Sequence, residues 1–232
     1  MNGACSLPHS SRAASGSESR LPDSWMIATM CVALVGAILT PALTAKGLHQ
    51  LAALTQNRGR LVTASAIAGA AGEVAAAQAS RHAGSPWWLP ALGIWALTLV
   101  AAAACDARTQ RIPTPLLRRG ALLTAGLLAL AGLVTHDGRT LLVTVVACAA
   151  AGTILGICWR FAGAGFGDVR LATAGGLGLG HTTHRALVLA VLALGLVSLA
   201  QATWTYARSR DPKAHFAYGP ALVVGFLVAV AV

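Results

Sequence analysis

Two aspartates lie where apolar segments meet polar loops, in a chain with only seven acidic residues among 232. Asp106 closes the apolar run "WWLPALGIWALTLVAAAACD", and Asp168 opens another apolar run directly after "AGAGFG". A carboxylate in lipid costs on the order of 3 kcal/mol and by default faces the protein interior or a water-filled cavity. Two carboxylates at the same depth therefore predict one shared site.

A pair of close carboxylates can hydrolyse a peptide bond. The two groups cannot both ionise cheaply, so the pKa of one rises and the pair shares a proton near neutral pH. The ionised group takes a proton from water. The protonated group hydrogen-bonds the scissile carbonyl and then protonates the leaving amine. This chemistry needs no metal and no cofactor.

Other interpretations of the two aspartates stay open on spacing alone. Each lies two residues from an arginine, Arg108 or Arg170, as an interfacial ion pair or a helix N-cap would. Intramembrane carboxylates also relay protons, so a proton-coupled transporter is a second hypothesis. A catalytically inactive membrane assembly factor is a third.

The composition is typical of an integral membrane protein. Hydrophobic residues make up 56% of the chain and charged residues 10%, whereas soluble domains carry about 25% charged residues. The formal charge of +10 comes from basic residues in short loops, which favours contact with a lipid bilayer and not with nucleic acid. The five cysteines form no CxxC pair, so we expect no zinc site.

The apolar runs predict an all-α, polytopic transmembrane bundle with a six-helix catalytic core. Residues 1–23 read as a disordered tail, 24–86 as an N-terminal membrane region with a short basic loop, and 87–232 as the catalytic membrane domain. The second span is weak because it carries Glu73, and the sixth and eighth are short. We predict eight spans, at approximately 25–45, 61–80, 87–105, 116–135, 140–159, 168–181, 185–206 and 217–232.

Loop charges predict the orientation of the bundle. One set of alternate loops holds 12 Lys and Arg residues and the other set holds three. Because positive loops stay in the cytoplasm, the first set is expected inside and both chain termini outside. Asp106 and Asp168 then both lie at the cytoplasmic end of their helices.

Three ordered motifs resemble the type IV prepilin peptidase family, which are intramembrane aspartyl proteases of the GxGD class. They are "DARTQRIP" (Asp106–Pro113), "GFGDVRLATAGGLGLG" (Gly165–Gly180) and "FAYGPALVVG" (Phe216–Gly225). The resemblance covers roughly residues 87–232. It implies that Asp106 and Asp168 are the catalytic pair, and that the enzyme acts in the bacterial cytoplasmic membrane. It also implies prepilin or pseudopilin substrates, with a basic leader and a Gly before the scissile bond, followed by an apolar helix.

The residues around the two aspartates have expected roles of their own. Glycine permits unusual backbone angles, so Gly165, Phe166 and Gly167 are expected to form a pliable entrance for an extended substrate strand. Ile112 and Pro113 turn the chain and so fix how Asp106 points. By resemblance, Gly219 and Pro220 line the site. We interpret Gly175, Gly176, Gly178 and Gly180 as helix-packing positions.

The chain departs from the family pattern in its first cytoplasmic loop. Many bacterial members carry a domain with two CxxC pairs there, whereas this chain has only "AKGLHQLAALTQNRGR". Many members also methylate the new N-terminus with S-adenosylmethionine. Nothing in this sequence supports that second activity, so the prediction of leader cleavage does not extend to methylation.

Overall fold

A computed structural model describes residues 22–50, 58–162, 165–210 and 217–232. All regular secondary structure in these ranges is helical, which confirms the predicted all-α class. The predicted tail, 1–23, lies almost entirely outside the described residues. The helices are α1 (Pro22–Gln50), α2 (Arg58–His82), α3 (Leu89–Thr109), α4 (Thr114–Thr135), α5 (Gly138–Ala162), α6 (Phe166–Gly176), α7 (His184–Ser209) and α8 (Gly219–Ala231). Short 3-10 turns cover Pro86–Trp88 and Leu177–His181.

Each of the eight predicted segments contains one α-helix, but the helices differ in their suitability as membrane spans. Within the described ranges, α1, α3, α4, α5 and α7 contain stretches long and apolar enough to cross a bilayer. Helix α2 carries Arg58, Arg60, Glu73 and Arg81, so it is less apolar, while α6 and α8 are short. Five spans are therefore supported by length and composition, and the count of eight stays a prediction.

Helix α3 is the centre of the bundle. It packs against α1, α2, α4, α6 and α8, and most of its side chains are buried. The indole Nε1 of Trp95 donates a 3.0 Å hydrogen bond to the main-chain oxygen of Ala174 in α6. This bond satisfies the polar end of a large buried ring, as a buried tryptophan requires. The same contact fixes α6 against α3.

Close packing against α3, α5 and α8 occurs at two glycines of α6 and two glycines of the 3-10 turn that follows it. At the four glycines interpreted as packing positions, a Cβ atom would lie 2.1 to 2.6 Å from a neighbouring atom, so that interpretation is confirmed. The partners are Phe226 for Gly175, Cys148 for Gly176, Trp95 for Gly178 and Thr144 for Gly180.

Glu73 lies inside the bundle where α1, α2 and α3 meet. Its side chain is 1% exposed and packs against the backbone at Gly36 and Gly93. Position 73 lies inside helix α2, and Oε1 of Glu73 has no hydrogen-bond partner in the described structure.

Candidate active site

Asp106 lies in the last turn of α3 and Asp168 in the first turn of α6. The two helices run antiparallel, with Gly178 packed on the ring of Trp95. Asp106 follows Trp95 by 11 residues along α3, and Asp168 precedes Gly178 by 10 residues. Those separations correspond to roughly 16 and 15 Å along the helices, in the same direction in space. The register thus brings both carboxylates to one end of the bundle, which we call the carboxylate end.

Asp106 is buried and held by the main chain of a distant helix. Its side chain is 5% exposed, and its Oδ2 accepts a 2.9 Å hydrogen bond from the N–H of Gly219, the first residue of α8. A Cβ atom at position 219 would lie 2.6 Å from that oxygen, closer than side chains pack. Only glycine lets the α8 backbone approach the carboxylate this closely. Helix α3 ends four residues later at Gln110, in the left-handed region with φ of 51°.

Asp168 is half-buried and makes a local contact. Its Oδ2 accepts a hydrogen bond of 3.2 Å from the N–H of Gly165, the residue that precedes α6. Asp168 therefore also makes the capping contact that the alternative interpretation expects. Burial raises the pKa of the Asp168 carboxyl, and the bond from Gly165 opposes that rise.

The two carboxylates lie at the same end of two helices, α3 and α6, that pack on each other. Asp106 is the more buried of the two, while Asp168 is more accessible to water. Such a pair can hold one proton between its members, which suits acid–base chemistry.

The other predicted motif residues surround this pair. A Cβ atom at Gly167 would lie 3.3 Å from Cδ1 of Ile112, so the segments that follow Asp106 and precede Asp168 pack on each other. Pro113 is fully buried and caps the start of α4. Pro220 lies in the first turn of α8, next to Gly219. Phe216, the first residue of the third motif, lies outside the described residues.

An aromatic and cationic cluster supports the start of α6. The guanidinium carbon of Arg170 lies 4.7 Å from the ring centre of Phe166, and Nη1 of Arg170 donates a 2.9 Å hydrogen bond to Oγ1 of Thr114 in α4. The rings of Phe166 and Trp159 are 5.3 Å apart. Phe166 is nevertheless 48% exposed, so one face of it stays free at the entrance to the site.

Sequence reasoning missed this cluster. Neither Trp159 nor Arg170 is among the site residues predicted from the sequence. The i, i+4 spacing of Phe166 and Arg170 on a short helix was the signal that could have indicated their contact.

A second polar group lies at the opposite end of the bundle. Asp137 caps α5 by accepting hydrogen bonds from the N–H and the hydroxyl of Thr140, at 3.0 and 2.6 Å, and these bonds lower its pKa. His181 lies 3.4 Å from the Thr140 hydroxyl, and burial lowers its pKa. Over the described ranges, no three His, Cys, Asp or Glu side chains are grouped so that they could hold a metal ion.

The comparisons with known proteins bear on the region that carries both aspartates. The model of the type IV leader peptidase family matches residues 93–202, from the first turns of α3 into α7. No curated protein and no solved structure matches the chain. The matched segment, which includes Asp106 and Asp168, is therefore similar to the type IV leader peptidase family.

Proposed function

We propose that this protein is an intramembrane aspartyl endopeptidase that removes the basic leader from type IV prepilins or pilin-like pseudopilins. The observation that carries the proposal is the placement of Asp106 and Asp168 at one end of two packed helices, inside the segment that matches the leader peptidase family. A family match alone supports a leader peptidase. The two carboxylates support the aspartic chemistry.

The proposed reaction uses one proton shared by the pair. The ionised carboxylate removes a proton from water, and the resulting hydroxide attacks the scissile carbonyl carbon. The protonated carboxylate donates a hydrogen bond to the carbonyl oxygen and then gives its proton to the leaving nitrogen. The C–N bond breaks, and the pair again holds one proton. The apparent pKa values belong to the pair and not to either residue.

The hydrogen bond from Gly219 has a defined part in this scheme. It fixes Oδ2 of Asp106 and leaves Oδ1 for water or substrate. Helix α8 lies beyond residue 202, where the family match ends, yet its first residue contacts the buried aspartate. This contact supports a catalytic domain that extends over residues 87–232, with 24–86 as a supporting membrane region.

The cleavage face follows from charge. Arg108, Arg160 and Arg170 lie at the carboxylate end of their helices, and Arg111 lies in the loop between α3 and α4 at the same end. By the positive-inside rule this is the cytoplasmic end. These arginines repel a basic leader, so we propose that anionic lipid headgroups hold the leader beside the site. The protein then acts in the bacterial cytoplasmic membrane with its active site at the inner face.

Processing of a co-expressed prepilin tests this function. In a bacterial host without its own leader peptidase, we expect the wild-type protein to remove the leader, seen as a shift on a gel. Asp106→Asn and Asp168→Asn should each abolish the shift at unchanged membrane levels. Asp137→Asn is the matched control, because Asn also caps helices and position 137 lies at the opposite end. Full processing by either active-site variant excludes the aspartate pair.

A further inference from the structure

A long apolar groove lies between two helix pairs on the outer surface of the bundle. Helix α5 packs on α6, and α7 packs on α8, and the groove of about 510 Å³ separates the two pairs. One face of α5 forms the first wall, with residues spaced three or four apart from Val143 to Leu155. Leu187, Ala190, Val191 and Leu194 of α7 form the second wall, and Leu222, Gly225, Phe226 and Ala229 of α8 form the floor.

The groove is open, apolar and about as long as three helical turns. Val146 and Ile154 are each 58% exposed and Val191 is 66% exposed, although all three line it. Thr182 is its one polar lining residue among those described, and none is charged. From Val143 to Leu155 the wall on α5 extends roughly 18 Å. The groove therefore has room along its length for about 12 residues of an apolar helix.

Both sides of the groove lead to the proposed active site. On the floor, Leu222 lies three residues after Gly219, whose N–H is bonded to Asp106. On the wall, Leu155 lies four residues before Trp159, whose ring contacts Phe166 beside Asp168. The groove thus ends about one helical turn from residues that adjoin the two aspartates.

We propose that this groove binds the apolar membrane helix of the leader-bearing substrate, immediately after the scissile bond. This inference rests on the proposed function, in which that helix follows the cleavage site. Ala147, Ala150 and Ala151 on the α5 wall are small and accessible, so another helix can approach α5 closely, as in membrane helix pairs. Occupancy aligns the scissile bond with the carboxylate end and keeps the leader on the cytoplasmic side.

Filling the groove tests the proposal. Ala150 is exposed and lines the groove, whereas Ala149 is exposed on the neighbouring face of α5. With a full-length prepilin in detergent micelles, Ala150→Trp should raise KM about tenfold, which corresponds to about 1.4 kcal/mol of lost binding. Ala149→Trp should leave KM unchanged. A short leader peptide without the apolar helix should be cleaved equally by both variants and the wild type.

The outcomes separate this proposal from the proposed function. Cleavage of neither substrate by the wild type overturns both. If the wild type cleaves the prepilin but the two variants have equal KM values, only the groove proposal is overturned. If Ala150→Trp slows cleavage of the short peptide as much as cleavage of the full-length prepilin, the substitution distorts the active site. That result also overturns the groove proposal.

Photo-crosslinking identifies the occupant without requiring cleavage. A photo-crosslinking amino acid at Val191 should trap the prepilin, and the same group at Leu192, which is exposed but outside the groove, should not. Crosslinks to a second copy of this chain, or to lipid alone, overturn the proposal.

Discussion

The main-chain N–H of Gly219 donates a 2.9 Å hydrogen bond to Oδ2 of Asp106, although 113 residues of chain separate them. The bond joins the end of α3 to the start of α8. It holds one oxygen of a buried carboxylate in place. Because a side chain at position 219 would occupy the space of that carboxylate, the contact depends on glycine.

Gly219→Ala should reduce cleavage strongly. The added Cβ atom would lie 2.6 Å from Oδ2 of Asp106, so either the carboxylate or the start of α8 must shift. A displacement of about 1 Å at a catalytic group can lower the rate by roughly a hundredfold. We expect a fall in kcat of this order on a short leader peptide, with little change in KM.

The matched control for this variant is Gly195→Ala in α7. No atom lies within 4 Å of a Cβ atom at position 195, and alanine favours helix. Gly195→Ala should therefore cleave at the wild-type rate. Equal activity of the two variants would show that the contact between α3 and α8 does not position Asp106.

Arg170 should act as a positioning residue through Thr114. Its hydrogen bond to Thr114 ties the start of α6 to the start of α4, and its contact with Phe166 holds the turn before Asp168. Arg170→Lys keeps the charge but loses the planar group that makes both contacts. We expect a several-fold lower kcat, measured on a short leader peptide.

A double-mutant cycle separates this role from general loss of charge. If Arg170 and Thr114 act together, Arg170→Ala and Thr114→Ala should combine to less than the sum of their separate effects. Arg160→Ala removes the same charge at the same end of the bundle and should be additive with Thr114→Ala. Additivity in both cycles would show that Arg170 does not position the site through Thr114.

The sequence predicts the helices better than it predicts the contacts between them. Apolar runs located one helix in each of eight segments, since the length and hydropathy of a run are local properties. The shared end of Asp106 and Asp168 followed from counting the spans between them. The bond from Gly219 and the cluster around Phe166 depend on helix register and rotation. Neither quantity is encoded in the hydropathy of a single segment.

The contact between Trp159 and Phe166 is another that the sequence alone does not predict. An indole near a helix end fits a membrane-interface anchor equally well, and only the pairing of α5 with α6 places it on Phe166. The groove between α5 and α7 could not be predicted from the sequence either. In the sequence its wall residues are indistinguishable from other lipid-facing apolar residues, because the spacing of the helices is unknown.

Glu73 should prove dispensable for cleavage, which separates a protease from a proton-coupled transporter. Its side chain is buried between α1, α2 and α3, and in the described structure its Oε1 has no hydrogen-bond partner. Leaving such an oxygen unsatisfied costs about 1–3 kcal/mol, so an apolar residue of similar shape should be neutral or stabilising. We expect Glu73→Met to raise the thermal unfolding midpoint in micelles and to leave prepilin processing unchanged. Glu73→Ala, which leaves a cavity, should lower the midpoint. Loss of processing by a well-folded Glu73→Met protein would indicate that a proton path through the N-terminal helices serves the activity, as a transporter requires.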